Sequence, residues 1–213
     1  MWTVEGIRRN AERLRELNAR INATFSDCDR NERAGSAWRE ACADFHRSFE
    51  SLAYPGGFGP YDALAKGDQN AVEAAVTFLE ADPWFFRSGY MKEYLWKHLK
   101  KYDLSVVHRG RLESSAIGYL SRRVQREFWA MGNFMSVHAQ SSFWSEVGRL
   151  TRSSQQSISL KAYWLLLMRW KFPVRSWVKR EVRDAGWRGA TPNLAIHRTA
   201  NSRLRRLLAA GDF

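Results

Sequence analysis

Apolar residues recur every three or four positions along most of this chain, which is the spacing of one face of an α-helix. Near the N-terminus the apolar row consists of Val4, Ile7, Ala11, Leu14, Leu17 and Ile21. A second row consists of Trp38, Cys42, Phe45, Phe49 and Leu52. The polar stretch 24–30 separates the two rows. The pattern predicts an antiparallel helical hairpin over residues 1–53, packed on the main body of the protein.

A segment rich in glycine and proline comes after this hairpin. Its central residues are Pro55, Gly56, Gly57, Gly59 and Pro60. Proline inside a helix removes a hydrogen bond, and glycine loses more conformational freedom there than any other residue. We therefore predict a loop over residues 54–67.

Helical spacing resumes after this loop and predicts a main helical domain over residues 68–186. The predicted helices cover residues 68–81, 89–102, 106–123, 126–139, 142–151, 158–172 and 173–186. Asp82-Pro83 predicts a further helix start, because proline is tolerated in the first turn of a helix. The segment 158–172 is apolar nearly all round, which is typical of a buried helix.

Signals for β-strands are almost absent, since the chain has no Asn-Gly or Asp-Gly turn and no sustained alternation. Of the 213 residues, 45% are hydrophobic, which is enough to fill a sizeable core. The predicted fold class is all-α, either a multi-helix bundle or a short irregular array of helical hairpins that resembles a solenoid. Residues 187–213 have weak periodicity and are predicted to form a basic, loosely attached tail.

Positive charge is concentrated in the last third of the chain. Residues 149–213 contain 14 Lys and Arg against three acidic residues, a net charge of +11. Residues 1–148 contain 20 basic and 19 acidic residues and are almost neutral. An asymmetry of this size favours an anionic partner.

Basic and aromatic residues alternate densely between Arg169 and Arg183. On a helix that begins near Pro173, Arg175, Lys179 and Arg183 would form one cationic ridge, which can neutralise phosphates. The alternative is an amphipathic helix whose charged face is simply solvated, which is the more common origin of such ridges. The residues predicted to contact nucleic acid or another polyanion are Arg169, Lys171, Arg175, Lys179, Arg180, Arg183, Arg203, Arg205 and Arg206.

A secondary anion-binding patch is predicted near the junction of two helices. Its members are Arg87, Tyr90, Arg122, Arg123 and Arg126. Arg87 lies shortly after the Asp82-Pro83 turn, and local ion pairing with Glu80 or Asp82 is the favoured alternative for it.

Known catalytic and cofactor motifs are missing from the sequence. The histidines are not spaced as metal ligands, and the chain has no Gly-x-Gly-x-x-Gly or P-loop motif. We predict no metal, no cofactor and no catalytic residue, although an enzyme with a dispersed site around His98, His138 or Glu127 remains a weaker alternative.

The expected location is the cytoplasm. The N-terminus lacks the apolar region of an export signal, and the most apolar run, 162–168, is too short to cross a membrane. Cys28 and Cys42 are too few for a disulfide scaffold and are expected to be reduced.

Two segments resemble known proteins. The segment Phe78–Glu93, with sequence FLEADPWFFRSGYMKE, resembles a stretch of an uncharacterised bacterial all-helical family, which implies a helical fold and no chemistry. The segment TPNLAIHRTA at 191–200 resembles the C-termini of proteins encoded by mobile, integron-type gene cassettes. This resemblance implies that part of the tail's arginine content reflects the recombination element, and it suggests a stress or phage-defence context.

These observations favour a non-enzymatic helical binding protein whose basic C-terminal region contacts nucleic acid or another polyanion. The alternative is a protein-interaction scaffold, with an acidic protein partner, in a stress or phage-defence context. The sequence leaves the oligomeric state open.

Overall fold

The computed structural model describes residues 2–172 and Ser176, and this part of the chain is helical and contains no strand. The helices are α1 Val4–Phe25, α2 Glu32–Leu52, α3 Phe58–Ala65, α4 Val72–Ala81, α5 Ser88–Leu99, α6 Val106–Tyr119, α7 Glu127–His138, α8 Ser141–Leu150 and α9 Gln156–Arg169, with a 3-10 turn at Gln69–Ala71. The all-α prediction is confirmed, and the predicted ends of the helices after residue 68 mostly lie within four residues of the observed ends.

The described chain forms two compact units. The first contains residues 2–115 and 125–127, and the second contains residues 116–124 and 128–172. The predicted hairpin is an integral part of the first unit, because α1 packs on α4 as well as on α2. This partition therefore differs from the predicted single domain over 68–186, whose last residues, like the predicted tail 187–213, lie outside the described residues.

The N-terminal hairpin forms because each helix has a capping residue and one apolar face. The Thr3 hydroxyl accepts a hydrogen bond from the Gly6 N–H at 3.1 Å, and Asn31 Oδ1 accepts one from the Ala34 N–H at 2.9 Å. The apolar face of α1 is buried, as predicted, at Ile7, Ala11, Leu14 and Leu17.

The loop prediction for 54–67 is wrong over residues 58–65, which form α3. Gly56 and Gly57 take φ of 79° and 75°, a region that glycine enters without steric cost, and they turn the chain. Pro60 is accommodated because it lies in the first turn of α3, where its missing N–H would have had no partner within the helix. Tyr102 Oη then ties the end of α3 down by donating to the Leu64 carbonyl at 2.5 Å.

Asp82-Pro83 ends a helix instead of starting one. Asp82 is the left-handed C-cap of α4, with φ of 45°, and its N–H donates to the Phe78 carbonyl at 3.1 Å. Arg87 is left-handed too, with φ of 68°, and α5 begins after it. The Ser88 hydroxyl accepts from the Phe85 N–H at 3.1 Å, so it stabilises this connection and does not cap α5.

The core of the second unit is centred on α9, whose residues from Ser159 to Met168 are all buried, as the apolar pattern predicted. Trp164 packs against Phe128 and Trp129, with ring centroids 6.2 and 5.6 Å away. Of the helices described, none has the length and apolar character needed to cross a bilayer.

Candidate nucleic-acid interface

Most of the predicted primary basic region lies outside the described residues. This applies to Arg175, Lys179, Arg180, Arg183, Arg203, Arg205 and Arg206, so the ridge on the predicted helix 173–186 stays a prediction. Arg169 ends α9 with its guanidinium 5.1 Å from the centroid of the Trp144 ring. Lys171 is exposed and left-handed, with φ of 58°, and its N–H donates to the Met168 carbonyl at 2.9 Å.

The secondary patch is divided between the two units. Arg122 and Arg123 belong to the second unit, where the Arg122 carbonyl accepts a hydrogen bond from Lys161 Nζ at 2.5 Å. Arg87, Tyr90 and Arg126 belong to the first unit. Within the first unit, these three residues can be described as a local arrangement.

Tyr90 and Arg126 are brought together by the fold. The Arg126 guanidinium carbon lies 3.4 Å from the centroid of the Tyr90 ring, a cation–π contact. The same guanidinium forms an ion pair with Glu93, with Nε 2.5 Å from Oε2. The charge of Arg126 is thus balanced by Glu93, and its guanidinium group packs against the Tyr90 ring.

Arg87 does not form the ion pair that the sequence favoured for it. Glu80 pairs with Arg111 at 2.8 Å, and Asp82 pairs with Lys92 at 2.6 Å. The Arg87 side chain is exposed and lies 5.3 Å from the centroid of the Phe86 ring. The Arg87 guanidinium group is therefore exposed at the surface, next to the Phe86 ring.

The sequence prediction included Tyr90, in the first turn of α5, but missed two further exposed aromatic rings, Trp84 and Phe86, in the connection between α4 and α5. Trp84 is 68% exposed, Phe86 is 50% exposed and Tyr90 is 61% exposed. Each has a guanidinium near its ring, and for Trp84 this is Arg15, at 5.9 Å from the ring centroid. We call these three rings, with Arg15, Arg87 and Arg126, the aromatic surface. A sequence signal for it exists in the run WFF between Pro83 and Arg87, which lies outside any helical row.

A buried charge cluster holds this connection in place. The Lys92 ammonium lies 2.6 Å from Asp82 Oδ1 and 3.2 Å from Glu127 Oε1, and all three side chains are at most 10% exposed. Burial lowers the pKa of Lys92, and the neighbouring Glu127 opposes this shift. The cluster joins the end of α4, the first turns of α5 and Glu127, all within the first unit.

Glu93 is neutralised in a similar way at the edge of the cluster. Burial raises the pKa of its carboxyl, but hydrogen bonds from Lys97 and Arg126 outweigh that effect and leave the pKa below its ordinary value. The carboxylates of Asp82, Glu93 and Glu127 are consequently buried and paired, whereas the Arg87 side chain is exposed.

The three residues named for the weaker enzymatic alternative each contact a neighbouring side chain in their own helix or in the buried charge cluster. Glu127 is paired with Lys92, the His98 ring packs 4.2 Å from the Tyr94 ring, and the His138 ring stacks on Phe134 at 4.7 Å. Residues 2–172 contain no group of three potential metal ligands.

Arg87 offers a test of the left-handed connection. We expect Arg87→Gly to be about 1–2 kcal/mol more stable than Arg87→Ala, because only the alanine keeps a Cβ at φ of 68°. Both variants lose the same charge, so the comparison isolates the backbone. The control pair is Arg13→Gly and Arg13→Ala in α1, where the glycine should be the less stable by about 1 kcal/mol. Urea unfolding followed by circular dichroism measures both differences, and the same order at both sites would contradict the left-handed assignment.

Comparison of the chain with protein-family models, curated proteins and solved structures finds no match.

Proposed function

We propose that this protein binds nucleic acid or a similar polyanion through its basic C-terminal region and catalyses no reaction. The observation that carries the proposal is a surplus of positive charge that the chain itself does not neutralise. Residues 149–213 have a net charge of +11 and contain only three acidic residues.

The distribution of ion pairs supports this proposal. Residues 1–148 contain 20 bases for their 19 acids, and several of these acids are paired within the segment. Examples are Asp44 with Arg20 at 2.8 Å, Glu73 with Arg111 at 2.7 Å and Glu93 with Lys97 at 2.7 Å. Arg149 pairs with Glu146 at 2.5 Å, but the whole chain has a net charge of +12. This surplus must be balanced by counterions or by a polyanion, and release of counterions favours the polyanion.

A protein-interaction scaffold with an acidic partner is the second candidate. The aromatic surface favours it, because tryptophan, tyrosine and arginine are enriched among the residues that dominate protein interfaces. Such a partner would be recovered stoichiometrically from cells, and nuclease treatment would not release it.

The salt dependence of binding tests the primary proposal. Fluorescence anisotropy of the full chain with a 20-nucleotide oligonucleotide, at several salt concentrations, measures the slope of log K against log salt. We expect Arg175→Ala/Lys179→Ala/Arg183→Ala to make the slope shallower by about one for each phosphate that is no longer neutralised.

A charge-matched variant separates a local site from net charge. Arg13→Ala/Arg20→Ala/Arg47→Ala removes the same charge from exposed arginines of the N-terminal hairpin. We expect its slope to stay close to that of the wild type. An unchanged slope in the ridge variant, or equal changes in both, would rule out the ridge as the binding site.

A further inference from the structure

We propose that the aromatic surface is a stacking site for unpaired bases, so that the nucleic acid recognised by this protein is single-stranded. This inference rests on the proposed function and specifies its substrate class. It concerns a different part of the chain from the basic C-terminal region.

The exposure of the rings is the first argument. Trp84, Phe86 and Tyr90 lie within seven consecutive residues and are each at least half exposed. Rings of this size normally dominate the buried core. Single-stranded nucleic acid offers base faces that stack on exposed rings without sequence preference, whereas a duplex keeps those faces inside its own stack.

The rings are held rather than loosely attached. Buried and exposed residues alternate along the connection, with Pro83 and Phe85 buried and Trp84 and Phe86 exposed. The Phe85 ring packs against the Phe49 and Phe78 rings, with centroids 6.1 and 6.5 Å away.

The ends of the connection are fixed as well. Asp82 and Arg87, whose backbones are in the left-handed region, lie at the two ends of the connection. The ion pair between Lys92 and Asp82 anchors its start. The Phe86 ring packs against the Phe45 ring of α2, with the centroids 6.2 Å apart. A platform that is already ordered loses little conformational entropy when a base stacks on it.

Positive charge beside the rings explains why the occupant is a nucleic acid and not a neutral apolar partner. The Arg15 and Arg87 guanidinium groups lie over the Trp84 and Phe86 rings, 5.9 and 5.3 Å from the ring centroids, close enough to attract the phosphates that link stacked bases. Arg15 also contacts Glu12 at 3.5 Å, but both side chains are exposed, and a surface ion pair of that kind is weak enough for a phosphate to compete with it.

Negative charge near the rings is largely masked. The carboxylates of Asp82, Glu93 and Glu127 are at most 10% exposed and each lies against a cation, so they present little negative charge to a phosphate backbone. The aromatic surface thus combines π-faces with accessible guanidinium groups, which is the composition of single-strand binding grooves.

The test uses the full chain with two labelled probes, a 20-nucleotide oligo(dT) and a mixed-sequence 20-base-pair DNA duplex. The variant Trp84→Ala/Phe86→Ala removes two exposed rings. We expect it to bind oligo(dT) at least tenfold more weakly and to bind the duplex within about twofold of the wild type, because exposed rings stack on unpaired bases and not on bases inside a duplex.

The matched control is Trp2→Ala/Phe25→Ala, which removes one tryptophan and one phenylalanine that are 45% and 61% exposed elsewhere in the first unit. It should bind both probes like the wild type. Trp84→Phe keeps a ring at that position and should retain most of the oligo(dT) affinity.

The outcomes separate the two proposals. If the wild type binds neither probe, the proposed function fails and the stacking site fails with it. If the wild type binds with strong salt dependence but Trp84→Ala/Phe86→Ala binds oligo(dT) unchanged, the stacking site alone is overturned. Equal losses for oligo(dT) and for the duplex would also overturn it, since they would indicate a contact to the backbone.

Discussion

Replacing Lys92 with methionine should lower the free energy of unfolding by about 3–5 kcal/mol, because removal of one member of a buried ion pair leaves an uncompensated charge. Lys92 is 5% exposed and its ammonium lies between Asp82 and Glu127, at 2.6 and 3.2 Å. Methionine has a similar length and helix propensity, so the change removes the charge with little effect on helix formation. The measurement is urea unfolding at pH 7 followed by circular dichroism at 222 nm.

The control for this prediction is Lys97→Met on the same helix. Its side chain is 60% exposed and pairs with Glu93 at 2.7 Å, so we expect a loss of about 1 kcal/mol or less. A double variant, Lys92→Met/Glu127→Gln, should recover part of the stability, because it removes one of the two carboxylates left without the ammonium. A loss for Lys92→Met as small as that for Lys97→Met would show that water or another cation reaches these carboxylates.

Replacing Trp164 with alanine should cost about 3–5 kcal/mol, because a large side chain leaves the core and a cavity remains. Trp164 is 1% exposed and packs against Phe128 and Trp129. The same unfolding experiment measures this loss, and circular dichroism is preferred to fluorescence because the mutation removes a tryptophan.

Trp164→Phe is the matched variant, and we expect a clearly smaller loss. Within the described part of the protein, the buried indole Nε1 has no hydrogen-bond partner, so phenylalanine gives up packing volume but no polar contact. An equal loss for Trp164→Phe and Trp164→Ala would mean that the indole N–H makes a stabilising bond after all.

The candidate site was only partly accessible from the sequence. Composition and position near the junction of two predicted helices place Arg87, Tyr90 and Arg126 in one cationic patch, together with Arg122 and Arg123. The sequence did not show that Arg126 would be balanced by Glu93, since those residues are 33 positions apart. It also gave no means of telling that Trp84 and Phe86 are exposed while Phe85 between them is buried.

Local periodicity was enough for the helical fold class and for most helix positions. Repeats of three and four residues are a property of one helix and its immediate surroundings, so α1, α2 and the largely buried α9 can be predicted from the order of the residues alone. The concentration of positive charge after residue 148 is likewise a fact of sequence.

Tertiary structure decided the features that depend on contacts between distant residues. The helix at Phe58–Ala65 is tied down by Tyr102, and the left-handed Asp82 is anchored by Lys92. From the sequence alone, Lys92 would be predicted to be an exposed lysine on the polar face of an amphipathic helix. It is buried between Asp82 and Glu127, which belong to the same unit, and their carboxylates make an ammonium tolerable in that position.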